Sequence, residues 1–184
     1  MGPGEVRLIA GRWRGRHIMV PKSNTVRPTP NRVRETVFNW LMPYLPGAFC
    51  LDAFAGSGAL GFEALSRGAA YVVLVDDNKK VIIQLRETAQ QLQAKEIEIR
   101  QEYFPKGFNS KHKFDIVFLD PPFHKNLCVP SVLFLQNNSL LNENALLYLE
   151  TESDLRIPEL YDAWIKLKYK VSGEIAYSLW QLKK

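Results

Sequence analysis

The sequence predicts an α/β protein with a mostly parallel β-sheet, and two patterns in its 184 residues support this fold class. Between residues 49 and 150, short apolar segments alternate with segments of helical periodicity, which is typical of a doubly wound sheet with helices on both faces. Near the end of the chain, two long alternating segments follow each other with no helix between them. Such segments pair antiparallel, so we expect the sheet to end in a hairpin.

The individual elements follow from the same patterns. Thr29 is a good N-cap and Pro30 suits the first position of a helix, which Pro43 and Pro46 should end. The predicted strands that follow are 49–53, 71–75, 97–99, 114–119 and 145–150, and the predicted helices between them are 59–67, 78–92 and 130–136. Residues 164–171 and 175–182 form the hairpin. A seven-stranded sheet that ends in this way is typical of Rossmann-like class I methyltransferases, which use S-adenosylmethionine.

Positive charge is concentrated at the beginning of the chain. Residues 1–34 hold eight Lys and Arg residues against Glu5 alone, whereas the other 150 residues hold 16 basic and 18 acidic side chains. This pattern predicts contact with a polyanion, and the interleaved Trp13 and Ile18 argue against a merely solvated tail. We therefore expect residues 1–28 to form a basic hairpin and arm for RNA, with segments 6–10 and 16–20 extended, and residues 29–184 to form the main domain. The candidate RNA contacts are Arg12, Arg14, Arg16, Arg27, Arg32, Arg34 and Lys125.

Several classes of protein do not fit the composition. No stretch approaches the roughly 18 apolar residues of a membrane helix, and no apolar run follows the N-terminal charges as in a secretory signal. Cys50 and Cys128 provide neither a disulfide framework nor metal-ligand spacing. We expect a monomer in the cytoplasm, without a metal or a membrane partner.

A glycine-rich loop follows the first strand of the predicted sheet. Gly56, Gly58 and Gly61 form the pattern G-x-G-x-x-G between a strand and a helix, which lets the backbone approach a ligand closely. Asp76, at the end of the next strand, could accept both ribose hydroxyls of an adenosine. This combination alone fits NAD about as well as S-adenosylmethionine. The predicted loop contacts are Phe54, Ala55, Gly56, Ser57 and Gly58.

Asp52 favours S-adenosylmethionine. It ends the first strand, four residues before the first glycine, where a carboxylate would repel a pyrophosphate. S-adenosylmethionine carries a sulfonium and an ammonium group instead, and an anion attracts both. The alternative is that Asp52 is a helix-capping or turn residue.

The tetrad Asp120-Pro121-Pro122-Phe123 follows the strongest predicted strand, at the end where open α/β sheets bind ligands. An exocyclic amine of adenine or guanine is a poor nucleophile because its lone pair is delocalised. The Asp120 carboxylate and the Pro121 carbonyl can accept its N–H bonds, which localises the lone pair, and the two prolines hold these acceptors in place. Phe123 offers a ring on which an extruded base can stack. The alternative is a proline-rich turn.

The chain resembles the bacterial RsmD family over nearly its whole length. The resemblance rests on the tetrad, on the loop from Phe54 to Gly61, and on the short runs 14–16, 27–29 and 32–39. It implies methylation of the N2 amine of a specific guanine in 16S ribosomal RNA, with the assembled or assembling small ribosomal subunit as substrate. It also implies catalysis by Asp120, Pro121, Pro122 and Phe123, and cofactor binding by the Phe54–Gly58 loop and Asp76. We further expect Asp77, Glu102 and Tyr103 to contact the cofactor.

The chain departs from the family at two positions. At the position of Asp76 the family usually has Glu. At the position of Glu102 it usually has Asp or Asn, whose side chain hydrogen bonds to the adenine of the cofactor. Gln101 is the alternative adenine contact. The alternatives for function are a DNA adenine-N6 methyltransferase, a non-catalytic RNA-binding module with the same fold, and an NAD-dependent oxidoreductase.

Overall fold

The computed structural model describes residues 4–20, 30–157, 160 and 162–183. The strands are β1 (Glu5–Arg7), β2 (His17–Met19), β3 (Phe49–Asp52), β4 (Tyr71–Asp76), β5 (Ile97–Gln101), β6 (Phe114–Leu119), β7 (Leu141–Glu152), β8 (Trp164–Ser172) and β9 (Ile175–Leu182). The helices are α1 (Asn31–Leu41), α2 (Ala59–Ser66), α3 (Lys79–Gln91) and α4 (Cys128–Asn137). All the predicted elements are present, with ends shifted by a few residues.

Seven strands form the central sheet, in the order β5-β4-β3-β6-β7-β9-β8. The neighbouring strands from β5 to β7 are parallel, and β9 pairs antiparallel with both β7 and β8. β3, β4 and β6 lie in the middle and are largely buried, which explains their continuous apolar sequences. The predicted parallel sheet with an antiparallel hairpin at its edge is therefore confirmed.

The register brings the ends of four strands to one edge of the sheet. Asp52 pairs with both Leu74 and Phe118, so β3, β4 and β6 end together. Leu119 pairs with Leu149, which places the end of β7 beside them. We call this side the carboxyl edge. Since each helix runs back from this edge, the last turns of α2 and α3 lie at the opposite, amino edge.

The N-terminal hairpin is part of the main hydrophobic core. β1 and β2 pair antiparallel with Val6 opposite Ile18, which confirms the predicted hairpin, although both strands are shorter than predicted. Val6, Leu8, Trp13 and Ile18 are buried in one cluster with side chains of α1 and α2. Residues 4–20 therefore pack against α1 and α2, and the predicted boundary between residues 28 and 29 stays a prediction. Residues 21–28 lie outside the described residues.

Two details of the prediction are corrected. Pro30 is the N-cap of α1 and not its first residue. β7 begins at Leu141, four residues before the predicted start, because Leu141 still pairs with Phe114. No helix in the described ranges is long and apolar enough to cross a membrane.

Candidate active site

The glycine loop joins β3 to α2 at the carboxyl edge. Gly56 has a φ of 51° and Gly58 a φ of 75°, both in the left-handed region that favours glycine. A Cβ atom at Gly61 would lie 2.2 Å from Leu74 Cδ2 and 3.1 Å from Val72 Cγ1, so a larger residue here would force buried side chains of β4 to move. The three glycines therefore have the structural roles that their pattern predicts, two in the turn and one in helix–strand packing.

Asp52 is buried beneath this loop, with 2% of its surface exposed. Its Oδ2 atom accepts a hydrogen bond of 3.0 Å from the N–H of Gly61, in the first turn of α2. The capping role that was the alternative for Asp52 is therefore present. Burial raises the pKa of Asp52 to about 7, against the lowering effect of the Gly61 hydrogen bond, and the carboxylates of Asp76 and Glu150 raise it further. A buried carboxylate of this kind is stabilised in its charged form by a neighbouring cation.

Asp76 connects the glycine loop to the next helix. Its Oδ2 accepts from Gly56 N at 3.0 Å and its Oδ1 from Asn78 N at 2.9 Å. Burial raises its pKa, and these two hydrogen bonds oppose the rise. Each carboxylate oxygen has a second lone pair, so both can still accept a hydroxyl of a ligand. Asp77, the next residue, is exposed.

Glu102 lies beside Asp76, to whose carbonyl it donates its backbone N–H at 3.2 Å. Its Oε2 atom is buried and has no hydrogen-bond partner within the described residues. An orphaned buried acceptor is costly unless a ligand donates to it, and an adenine amino group would be a suitable donor. By contrast, the side-chain amide of Gln101 already donates to the carbonyl of Asp77 at 3.3 Å. Tyr103, also predicted at this site, is exposed.

The tetrad lies at the carboxyl edge immediately after β6, as predicted. Asp120 and Phe123 are half-buried, Pro121 is buried and Pro122 is exposed. The loop that follows is held in an unusual backbone conformation, with a φ of 61° at His124. A hydrogen bond of 2.6 Å from His124 N to Glu152 Oε1 ties this loop to the end of β7.

β7 supplies acidic residues that the sequence analysis missed. The hydroxyl of Tyr148 donates to Glu150 Oε1 at 2.6 Å in the interior. Burial, with the charges of Glu150 and Asp120, raises the pKa of Tyr148 well above its ordinary value. Glu150 lies near the end of β7 at the carboxyl edge, where Asp52 and Asp120 also lie. Its position at the end of a predicted strand is the feature of the sequence that could have identified it as a site residue.

A pocket of about 330 Å³ lies between the tetrad and the end of β7. Its lining includes Pro121, Pro122, His124, Glu150, Thr151, Glu152 and Arg156. The pocket therefore combines the rigid prolines with carboxylate acceptors and a guanidinium donor. This set can hydrogen bond to a flat polar group next to the tetrad.

Arg34 corrects the predicted set of RNA contacts. Its side chain is fully buried, with Nη2 donating to Arg7 O at 2.8 Å and to Asn31 Oδ1 at 2.6 Å. Nη1 lies 3.8 Å from Glu63 Oε2. The prediction that Arg34 contacts RNA is wrong because the side chain cannot reach a surface ligand. The sequence alone does not distinguish Arg34 from its exposed neighbour Arg32.

The structure does not bring the arginines of the hairpin turn to the tetrad. Arg12 is paired with Glu96, just before β5, and Arg16 donates to the carbonyl of Gln91, the last residue of α3. Both contacts lie at the amino edge of the sheet. Arg14 is exposed in the same turn, Lys125 is exposed two residues after the tetrad, and Arg27 lies outside the described residues.

Comparison with known proteins agrees with this geometry. The chain is 49% identical to a Haemophilus influenzae protein named Ribosomal RNA small subunit methyltransferase D, over 97% of this chain and 94% of that protein. The Escherichia coli K12 protein of the same name is 42% identical over 98% and 91%. The solved structure of Escherichia coli yhhF is 41% identical and superposes with a TM-score of 0.88, covering 98% of this chain and 99% of that one.

A family model described as "Conserved hypothetical protein 95" matches residues 6–181. The match includes the glycine loop, the tetrad and the C-terminal hairpin. The predicted α/β fold of class I methyltransferases is thereby confirmed. The chain therefore belongs to the Conserved hypothetical protein 95 family, which is the family of the bacterial RsmD proteins.

Proposed function

We propose that this protein is an S-adenosylmethionine-dependent methyltransferase that modifies the N2 amine of a specific guanine in 16S ribosomal RNA. The observation that carries the proposal is the tetrad at the carboxyl edge, beside the glycine loop that follows β3. The names of the relatives support ribosomal RNA of the small subunit as the substrate. The assembled or assembling subunit is the form of the substrate that we propose.

Residues around the glycine loop suit the cofactor. Asp76 would accept the ribose hydroxyls, Glu102 Oε2 would accept from the adenine amino group, and Asp52 would face the cationic end. The orphaned Glu102 acceptor and the raised pKa of Asp52 are both relieved by such a ligand. When bound, S-adenosylmethionine supplies a methyl group activated by its sulfonium charge.

The tetrad would activate the target amine. The Asp120 carboxylate and the Pro121 carbonyl accept the two N–H bonds of the amine, which directs the nitrogen lone pair toward the methyl group. After transfer the nitrogen carries a positive charge, and Asp120 is the acceptor in the tetrad for the departing proton. Phe123 stacks on the extruded base. Fixed φ angles at both prolines keep the acceptors preorganised.

The pocket beside the tetrad supports guanine over adenine. Guanine presents N1–H and O6 beside its amine, and it needs an acceptor and a donor there, whereas adenine presents an acceptor at N1 and has no carbonyl. Glu152 and Arg156 line the pocket and supply these two functions. Guanine therefore matches the polar groups of the pocket better.

Product identity tests the proposal directly. We expect that incubation of the protein and labelled S-adenosylmethionine with small subunits lacking the modification yields N2-methylguanosine, detected by nucleoside mass spectrometry. N6-methyladenosine, or labelling of duplex DNA in preference to the subunit, would support the adenine methyltransferase instead. Cofactor binding without any labelled product would support the non-catalytic module.

Glu102 provides a test of the cofactor site. We expect Glu102→Ala to weaken S-adenosylmethionine binding by about 1–3 kcal/mol, because it removes a charged acceptor for the adenine amino group. Calorimetric titration measures this change. Gln101→Ala is the matched control and should bind normally, since its amide is already paired within the protein. Equal affinity in Glu102→Ala and wild type would exclude Glu102 from the adenine contact.

Asp52 predicts a pH dependence of cofactor binding. Without a ligand its pKa is about 7, and a neighbouring cation lowers it, so binding below pH 7 releases a proton. The affinity for S-adenosylmethionine should therefore rise from pH 6 to pH 8 and then level off. Calorimetry in buffers of different ionisation enthalpy should detect the proton release. Asp52→Asn, which can still accept from Gly61 N, should lose this pH dependence, and its retention would contradict the assignment.

A further inference from the structure

The C-terminal hairpin carries a second concentration of positive charge. Residues 164–184 hold five lysines against Glu174 alone, whereas residues 35–163 hold 17 acidic and 11 basic side chains. The body of the protein is therefore acidic, and basic segments occur at both ends of the chain. The described arginines of the N-terminal hairpin turn lie at the amino edge, away from the tetrad. Three of the C-terminal lysines, Lys166, Lys168 and Lys170, lie instead on β8, an edge strand of the central sheet.

Strand pairing connects these lysines with the active site. Asp120 follows Leu119, which pairs with Leu149, so Asp120 and Glu150 come next in register. Glu150 pairs with Tyr177 on β9, and Tyr177 pairs with Lys170 on β8. With about 4.8 Å between adjacent strands, the backbone of Lys170 lies roughly 14 Å from that of Asp120 along the carboxyl edge.

Lys168 and Lys170 share one face of this edge strand. They pair directly with Leu179 and Tyr177, and paired residues of antiparallel strands point to the same side. Both side chains are exposed. Lys166 differs, because a bulge between Lys166 and Lys168 turns it to the other face, where its ammonium group lies 4.7 Å from the ring centre of Trp180.

We propose that Lys168 and Lys170 form a second RNA-binding surface, which holds ribosomal RNA phosphates close to the target nucleotide. The proposal rests on the proposed function and extends it to a named surface. Residues 35–163 carry net negative charge, which repels RNA phosphates. Lys168 and Lys170 supply positive charge on the face of β8 that Tyr177 shares. Their separation from Asp120 is one that an RNA strand spans within a few nucleotides. The competing explanation is that lysines on an edge strand only prevent sheet-to-sheet association.

The test compares Lys168→Gln/Lys170→Gln with the control Lys111→Gln/Lys113→Gln. The control lysines are exposed and precede β6 at the amino edge. Methylation of unmodified small subunits is measured at several salt concentrations. For the β8 variant we expect KM for the subunit to rise roughly 10-fold, with the effect on KM rather than kcat. The log–log salt slope should fall by about 0.7–0.9 for each phosphate that the variant no longer binds, or 1.4–1.8 in total.

The outcomes separate the inference from the proposed function. If the wild type forms product but the β8 variant has the same KM and salt slope as the wild type, the inference is overturned and the proposed function stands. Self-association of that variant in light scattering, with KM unchanged, would establish the edge-protection role in its place. An equal loss in the control variant would show a general charge effect and would also overturn the inference. If the wild type gives no product with the subunit, both proposals fail.

Discussion

Replacing Asp120 by Ala should lower the turnover number by about 10²–10³-fold, the loss typical of removing one preorganised hydrogen-bonding group from an active site. The carboxylate is the charged acceptor of the tetrad, and its hydrogen bond to the amine becomes most useful as the nitrogen develops positive charge. Because Asp120 is assigned to the target base, affinity for S-adenosylmethionine should change little. Single-turnover methylation of unmodified subunits and calorimetric titration measure the two quantities separately.

Asp120→Asn is the informative control for this prediction. The amide oxygen can still accept an N–H bond, but it carries no charge and cannot take up the proton. We expect its turnover to lie between those of the wild type and Asp120→Ala. Near-normal turnover in Asp120→Ala would mean that the tetrad is not the catalytic site, whereas a parallel loss of cofactor affinity would place Asp120 in the cofactor site.

Replacing Glu63 by Ala should have the largest effect on stability. This fully buried carboxylate on α2 accepts from Ile9 N at 2.7 Å, from Ala10 N at 3.0 Å and from Arg67 Nε at 2.7 Å. It also lies 3.8 Å from the buried Arg34. Its removal leaves two backbone donors and Arg67 Nε without their acceptor, and it takes away the opposite charge beside the buried Arg34. The expected loss in free energy of unfolding is about 3–5 kcal/mol, measured by urea denaturation.

A double-mutant cycle identifies the cause of this loss. In Glu63→Ala/Arg34→Met neither charge remains, so the double variant should lose less stability than the sum of the two single variants. Glu87→Ala, on the exposed side of α3, is the control and should stay within about 0.5 kcal/mol of the wild type. A loss below about 1 kcal/mol in Glu63→Ala would contradict the proposed anchoring of the N-terminal hairpin.

The glycine loop and the tetrad show how much of the site the sequence determines. Both are local signals, in which a glycine pattern or a proline pair follows directly after an apolar strand. The strand also fixes where they lie, because ligand sites in parallel sheets form at the carboxyl ends of strands. For this reason the order of residues along the chain is enough to place Asp52, Asp76 and Asp120 at one edge of the sheet.

The N-terminal segment shows where such reasoning fails. Arg12, Arg16, Arg32 and Arg34 look alike in the sequence, so the charge pattern predicts the same RNA contact for all four. In the structure Arg34 is buried and Arg12 and Arg16 are engaged at the amino edge. Arg34 also contacts the nearby Asn31, but the partners Glu96 of Arg12, Gln91 of Arg16 and Arg7 of Arg34 lie 84, 75 and 27 residues away along the chain. No local pattern encodes such distant pairing.

The sequence by itself determined the α/β class, the seven strands of the central sheet and the position of the tetrad, because each depends on periodicity or on a short motif. The tertiary structure decided which charged groups face solvent and which face one another. Glu63 holds the N-terminal hairpin because Ile9 and Ala10, more than 50 residues away along the chain, donate to it. Packing in the folded chain also buries Glu102 Oε2 without a hydrogen-bond donor among the described residues. The sheet register placed Lys170 three strands from Asp120 at the carboxyl edge. Strand order and register arise from the packing of the whole sheet, so the distance between these residues is a property of the folded chain alone.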